Sequence, residues 1–263
     1  MMKKSQLDKF YTKPEIAQEC IESIQGKFDL WVEPSAGAGT FLRRLPTPRI
    51  GLDIEPDDDE VLTQDFFEWT PPEGKRIAVI GNPPFGTNSK LAIQFFNCAA
   101  QWATLIGFVV PRTFRKVSVQ NRLSLEWSLY SEKILPENSF FLLDDDDKVH
   151  DCKVPCVWQI WVRKRREKIN LPLIHPDWEW VTKEEADYAM RRVGGLAGKV
   201  IENFEKYATP SHYYIKSTAD VKKILEFLYS EFQEVSKDTA GNPSLGKREV
   251  VQIYSNRKNE YER

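Results

Sequence analysis

Cysteine is scarce in this chain. Cys20, Cys98, Cys152 and Cys156 are too few and too scattered for a disulfide framework, a usage that fits a reducing compartment. His150, Cys152 and Cys156 in "HDCKVPC" have no fourth ligand in view, and Cys156 falls inside the strand-like run VPCVWQIWV. That stretch reads as structure, and no metal is expected. No apolar run is long enough to span a bilayer, and the opening MMKKSQLDKF lacks a signal-peptide pattern. The expectation is a soluble, cytoplasmic protein with no membrane partner. An excess of one charge sign is missing too: the formal net charge is −2, which excludes a uniformly basic nucleic-acid binder. Internal repeats and low-complexity segments are also absent.

What is present is a core. An apolar fraction of 41% in 263 residues supports one large domain with a smaller appendage. The charges divide unevenly: residues 1–162 carry 18 basic against 23 acidic side chains, and residues 163–263 carry 19 against 16. The basic end permits a polyanionic partner.

Short apolar runs (DLWVEP, RIGLDI, RIAVIGN, TLIGFVVP, SFFLL, VPCVWQIWV) alternate with helical stretches up to about residue 163. Such alternation predicts an α/β fold with a largely parallel sheet and helices on both faces. The last two runs are expected to pair antiparallel across the acidic connection Asp144–Asp151, itself read as a solvated loop. "YTKPEIAQECIESIQGK" reads as a helix with a Thr12/Glu15 capping box, Gly26 at its stop, and Ile16, Ala17, Cys20, Ile21 and Ile24 inward. Asn88 is placed to cap the helix in "NSKLAIQFFNCAAQWA", with Phe95, Phe96 and Ala99 facing in. Beyond residue 163, "VTKEEADYAMRRVGG" is expected as a helix capped by Thr182 and Glu185 and stopped by Gly194 and Gly195. Strands are expected near Lys199–Phe204 and His212–Lys216. "ADVKKILEFLYSEFQEV" reads as one amphipathic helix with Val221, Ile224, Leu225, Leu228 and Phe232 on its apolar face. The chain from Lys237 is polar, with one short helix near Leu245–Tyr254.

Three strand ends carry chemistry. "WVEPSAGAGTF" follows the first parallel strand with Gly37 and Gly39, which allow a tight turn and close backbone approach to a ligand. "GLDIEP" places Asp53 where a carboxylate can accept both ribose hydroxyls. "TQDFFEW" offers Asp65 as acceptor for an exocyclic amine and Phe66 as an apolar wall. A fourth, "GNPPFG", ends a strand with two prolines, which cannot donate to a sheet. It brings together Asn82, the Pro83 carbonyl, Pro84 and Phe85.

Taken in order, "FYTKPEIA", "EPSAGAGTF", "GLDIEP", "TQDFFEW", "GNPPFG" and "GFVVPRTF" resemble gamma-class adenine-N6 DNA methyltransferases, within the class I S-adenosylmethionine-dependent methyltransferases. The resemblance spans about residues 8–163. It implies a Rossmann-like seven-stranded methyltransferase sheet, mostly parallel with its last strand antiparallel, followed by a smaller α+β region. The implied division is a catalytic domain over 1–166, a target-recognition region over 167–240 and a polar tail over 241–263. It also implies S-adenosylmethionine as cofactor, with no metal. Phe10, Tyr11 and Thr12 would close over its methionine part. Glu33, Pro34, Ser35, Gly37, Gly39 and Phe41 would form the loop beneath it, and Asp53 and Ile54 would meet the ribose. Asp65 and Phe66 would hold its adenine, and Asn82 would border it. The family's second base-stacking aromatic has three candidates here, Phe140, Phe141 and His150.

The resemblance implies transfer to the N6 amine of a flipped-out adenine. Asn82 Oδ1 and the Pro83 carbonyl would each accept one N–H, and Phe85 would stack on the base. Arg112, Arg115, Lys116 and Arg122 are candidates for phosphate contact, with Arg191 and Arg192 as a second set. The expected partner is nucleic acid, DNA before RNA, met by a monomer or weak homodimer. RNA adenine methyltransferases also carry "NPPFGT", release-factor glutamine methyltransferases carry Asn-Pro-Pro with Tyr, and an inactive binding relative would be expected to lose Asn82 or the glycine loop.

Overall fold

The computed structural model describes residues 10–143, 149–239 and 241–261. They divide into two compact units, residues 1–168 and 169–263. In the first unit β1 (Tyr11–Thr12) leads into α1 (Pro14–Glu22). Then come β2 (Leu30–Glu33), β3 (Arg49–Asp53), β4 (Val61–Thr63), β5 (Ile77–Gly81), α2 (Lys90–Ala99), β6 (Leu105–Pro111) and the single turn α3 (Val117–Gln120). The unit ends with β7 (Trp127–Ile134), β8 (Phe140–Leu143), β9 (Val149–Cys152) and β10 (Cys156–Arg163).

Seven of these strands form one sheet in the order β4-β3-β2-β5-β6-β10-β7. Strands β4, β3, β2, β5 and β6 run parallel, while β10 is antiparallel to both its neighbours. Strand β5 is buried along its whole length, and its side chains alternate between two cores. Ile77 and Val79 join Ile93, Phe96 and Ala99 of α2, whereas Ala78 and Ile80 join Ile16, Ala17, Cys20 and Ile21 of α1. Gly107 in β6 lets the Trp158 ring lie flat against the strand, since a Cβ there would come within 2.6 Å of it.

Several expectations change. Thr12 pairs with Phe140 in β1 and does not cap α1, whose entry is set by Pro14 after an extended Lys13. Asn88 does not cap α2 either; it and Ser89 have left-handed backbones in a tight turn, and the helix starts at Lys90. The antiparallel partners of β10 are β6 and β7, and β7 is a strand that sequence reading missed because most of it is exposed edge. The SFFLL run enters a separate sheet, β1-β8-β9. Val149–Asp151, read as the end of a solvated loop, belong to β9 of that sheet, and Asp144–Lys148 lie outside the described residues.

The second unit has an antiparallel sheet in the order β11-β14-β12-β13, built from β11 (Trp178–Trp180), β12 (Tyr188–Arg191), β13 (Val200–Ile201) and β14 (His212–Ser217). One face is covered by α4 (Ala219–Phe227), α5 (Tyr229–Ser236) and α6 (Lys247–Tyr261). The Thr182/Glu185 capping box is present but caps a single 3-10 turn, and the expected helix is instead strand β12. Burial decides this: Tyr188 and Met190 point into the core beside Ile215, which outweighs local helix signals. The expected amphipathic helix breaks at Leu228 into α4 and α5, with its apolar face buried as read. The short helix expected near Leu245–Tyr254 is present but longer, α6 over Lys247–Tyr261, and it is not a polar tail, since Val250, Val251 and Tyr254 are buried. Among the described residues no helix is long and apolar enough to cross a membrane.

Candidate cofactor and catalytic site

At the carboxyl ends of β2, β3 and β5 lies a cleft of about 290 Å³. This is where the strand order reverses direction, the position at which open α/β sheets bind ligands. The turn after β2 is held by the Ala36 N–H donating to Leu52 O (2.9 Å) and the Gly39 N–H donating to Ala36 O (2.7 Å). Gly37 has φ +49°, and its N–H donates to Asp53 Oδ2 at 2.8 Å. Asp53 Oδ1 accepts from the Glu55 N–H at 2.9 Å, so the carboxylate is locked at the cleft wall with lone pairs to spare. Ile54 beside it is 68% exposed, an apolar surface open to a ligand.

The sequence candidates Phe10, Tyr11, Thr12, Glu33, Pro34, Ser35, Gly37, Phe41, Asp53, Ile54, Asp65, Phe66 and Asn82–Phe85 all line this cleft. Gly39 does not; it shapes the turn behind, against the Arg43–Asp58 ion pair. Phe66 presents little surface, being 2% exposed and stacked on Phe95 at 5.4 Å, while Phe67 is 44% exposed and completes that wall. Phe67, Gln64 and Leu91 were not singled out in the sequence, and Phe95 was read only as a core residue of the helix. The first two flank Asp65 and Phe66 directly, and the helical period after "GNPPFG" would have found Leu91.

Asn82 occupies the centre. Its Nδ2 donates to the Phe10 carbonyl at 2.9 Å, and its Oδ1 is buried with no hydrogen-bond partner. Orphaned buried acceptors need an explanation, and on the wall of a cleft a ligand that donates to Oδ1 supplies one. Pro83 is buried, and the Phe85 carbonyl accepts from the Leu91 and Ala92 N–H groups, tying the motif to the first turn of α2. Thr12 Oγ1, 2% exposed as a residue, is a second buried orphan on the cleft.

The electrostatics are one-sided. Glu33, Asp53, Glu55 and Asp65 line the cleft, and no Lys, Arg or His does among the described residues. Burial pushes the Glu33 carboxyl well above the usual carboxylate range, against the lowering effect of the Leu42 N–H, which donates to Glu33 Oε2 at 2.6 Å. Such a cleft suits a ligand bearing positive charge. The cysteines take no part: burial pushes the Cys20 thiol up to about 12 and Cys156 higher still. No group of three or more His, Cys, Asp or Glu that could hold a metal ion occurs among the described residues.

The basic candidates lie elsewhere. Arg112 and Arg115 sit in the 3-10 turn after β6, followed by Lys116, and Arg115 Nε pairs with Glu132 at 2.8 Å. Arg122 is exposed, and its carbonyl accepts from Asn97. Arg191 and Arg192 belong to the second unit, where Arg192 lies over the Tyr213 ring at 5.4 Å. Of the three candidate stacking aromatics, Phe140 is fully buried. Phe141 stacks on Tyr11 at 5.5 Å, and His150 is exposed on β9.

No family model and no curated protein matches the chain. Solved structures resemble it in part. A proposed RNA methyltransferase from Pyrococcus horikoshii is 16% identical over 61% of this chain and 89% of its own, with a TM-score of 0.44. The Thermus thermophilus 16S rRNA N2-guanosine methyltransferase bound to S-adenosylmethionine and guanosine is 9% identical over 88% of this chain and 61% of its own, at 0.37. The plantazolicin methyltransferase bound to S-adenosylhomocysteine is 9% identical over 58% and 82%, at 0.34. Likenesses this distant leave the molecule's own topology as the deciding feature. In chain order of the seven strands, the sheet runs third, second, first, fourth, fifth, seventh, sixth, with the seventh antiparallel. The fold is the Rossmann-like methyltransferase fold. Within it, the acidic cleft stands at the topological switch point and the orphaned Asn82 acceptor at its floor.

Proposed function

We propose that the chain transfers a methyl group from S-adenosylmethionine to the N6 amine of adenine in DNA. The observation that carries this reading is Asn82 Oδ1, a buried acceptor without a partner, followed at once by the carbonyl of Pro83. The cleft fits the cofactor by its chemistry: Asp53, Glu55 and Asp65, with no Lys, Arg or His among the described residues, face a ligand that carries a sulfonium and an ammonium group. Asp53 takes the ribose hydroxyls, Ile54 and Phe67 cover the adenine of the cofactor, Asp65 accepts from its amine, and residues 10–12 close over the methionine end. When bound, S-adenosylmethionine supplies an electrophilic methyl on sulfur.

The chain's own residues do the rest. The exocyclic amine of adenine is a poor nucleophile because its lone pair is delocalised into the ring. Asn82 Oδ1 and Pro83 O accept its two N–H bonds, which draws the nitrogen toward tetrahedral geometry. They also stabilise the positive charge that develops on it. Pro83 and Pro84 keep both acceptors aimed, and Phe85 covers the face of a base taken out of the stack. Arg112, Lys116 and Arg122 are assigned to phosphate contact, and Arg192 is assigned that role in the second unit.

The test is transfer of labelled methyl to matched duplex DNA, single-stranded DNA, RNA and protein, followed by nucleoside analysis, with Asn82→Ala alongside. N6-methyladenine in DNA is expected, lost by at least about 100-fold in Asn82→Ala while S-adenosylhomocysteine still binds. Label in RNA would move the substrate to RNA. Label only in protein, or full activity in Asn82→Ala, would overturn the reading.

A further inference from the structure

The amide of Asn82 has two ends, and only one is used within the protein. Its Nδ2 meets the Phe10 main-chain carbonyl at 2.9 Å, and its Oδ1 is left buried and unpaired on the cleft. The chemistry of the contact fixes which end is which. A carbonyl oxygen cannot donate, so whatever faces Phe10 O must carry hydrogen. The amide is therefore locked with its NH2 backward and its oxygen forward.

Phe10 O is itself held in place by its neighbours along β1. Tyr11 and Thr12 pair with Phe141 and Phe140, the Lys13 N–H donates to Ser139 O at 2.9 Å, and Lys13 Nζ bridges to Asp151 at 2.8 Å. Tyr11 stacks on Phe141 and donates its hydroxyl to Asp57 Oδ2 at 2.6 Å. The strand is tied down on both sides of the cleft.

We propose that the Phe10 main-chain carbonyl is a positioning group that requires a hydrogen-bond donor at side chain 82, and so demands an amide where a carboxylate of equal size would otherwise serve. The proposal rests on the methyl-transfer reading for its catalytic consequence and on geometry alone for the contact. An ionised carboxylate at position 82 would set oxygen against oxygen at Phe10, with no Lys, Arg or His side chain on the cleft among the described residues to relieve it. Asp53 of β3, and Glu55 and Asp65 beyond it, are further carboxyl groups on the cleft, Glu33 of β2 is a carboxyl whose charged form burial disfavours, and Tyr11 of β1 is the remaining titratable group there. A protonated carboxyl, by contrast, can donate to Phe10 O and still present its other oxygen forward.

Asn82→Asp separates the two states by pH. The ratio of its kcat to that of the wild type, measured from about pH 5.5 to about pH 9 on the preferred nucleic acid, is expected to rise about tenfold for each unit the pH falls. Using the ratio cancels titration of the acids that both proteins share. A ratio that is flat, or that rises with pH, would overturn the proposal. Melting gives an independent reading: the variant's deficit in Tm should widen as pH rises, because folding keeps the introduced carboxyl protonated while the unfolded chain lets it ionise. A deficit independent of pH would overturn the contact, as would a variant that fails to fold even at about pH 5.5, where the protonated form should fit. If the wild type transfers no label to any substrate, the methyl-transfer reading falls, and the melting comparison still decides whether Phe10 demands a donor.

Discussion

Glu33 shows how a single residue can be placed against its own charge. It ends strand β2, is 2% exposed, and accepts the Leu42 N–H, so its oxygen is used as an acceptor while burial penalises its ionised form. Burial raises its pKa first, and Asp53 adds to the rise. A group whose folded pKa lies above its unfolded value stabilises the protein fully below the unfolded value, near 4.5. That contribution is lost as pH climbs through the folded value. Glu33→Gln keeps an acceptor for Leu42 and removes the titration. Its stability relative to the wild type is expected to increase with pH by about 1.4 kcal/mol per unit between the two pKa values, then level off. Denaturant melts of both proteins from about pH 4 to about pH 8 measure this. A constant difference would mean that Glu33 ionises freely in the folded state. Glu33 was legible in the sequence only as a neighbour of the glycine turn; its raised pKa follows from packing around β2 and could not be read from "WVEP".

At the scale of elements, the parallel strands and their terminal motifs were legible because buried strands are continuous apolar runs. Asp53, Asp65 and Asn82 each lie at or just beyond a strand end, as read, and share one cleft. What was not legible lacked that signal. Strand β7 is mostly exposed, and β12 follows a charged stretch with Thr182 and Glu185, which locally resembles a helix start. Strand β8 looks like a main-sheet strand but pairs with β1, a contact set by residues more than a hundred positions apart. The turn between the catalytic motif and α2 was also misread, since Asn88 is a plausible cap but is itself left-handed. That turn depends on Gly86, whose φ is +64° and where a Cβ would lie 2.9 Å from Leu91 Cβ. Gly86→Ala should cost about 1–2 kcal/mol for the backbone alone, with the close approach adding to it. A Tm drop of several degrees is expected, with kcat falling more than affinity for S-adenosylhomocysteine, because the turn holds Asn82–Phe85 against α2. Unchanged Tm and kcat would show that the turn is not what aims the motif.

The whole molecule joins an acidic-clefted unit to a second unit whose charges nearly balance, 14 basic to 15 acidic over residues 169–263. Each unit has its own core, and α6 is part of the second one. Val250, Val251 and Tyr254 are almost completely buried beside Trp178, Met190 and Ile215, and Tyr254 donates its hydroxyl to Asp177 at 2.9 Å. Burial of each such side chain contributes about 1.5–3 kcal/mol, a sum comparable to the stability of a small domain. A chain ended after Gly246 should therefore lose the second unit's cooperative unfolding, while the first unit stays folded around its own two cores. Calorimetry is expected to show one transition disappear. S-adenosylhomocysteine affinity should stay within about threefold, because every residue lining the cleft belongs to the first unit. If the second unit contributes the phosphate contacts assigned to Arg192, affinity for nucleic acid should fall and its dependence on salt become shallower. Loss of cofactor affinity together with the second unit would mean that the two units do not fold independently. An unchanged salt slope would remove Arg192 and its unit from the nucleic-acid interface.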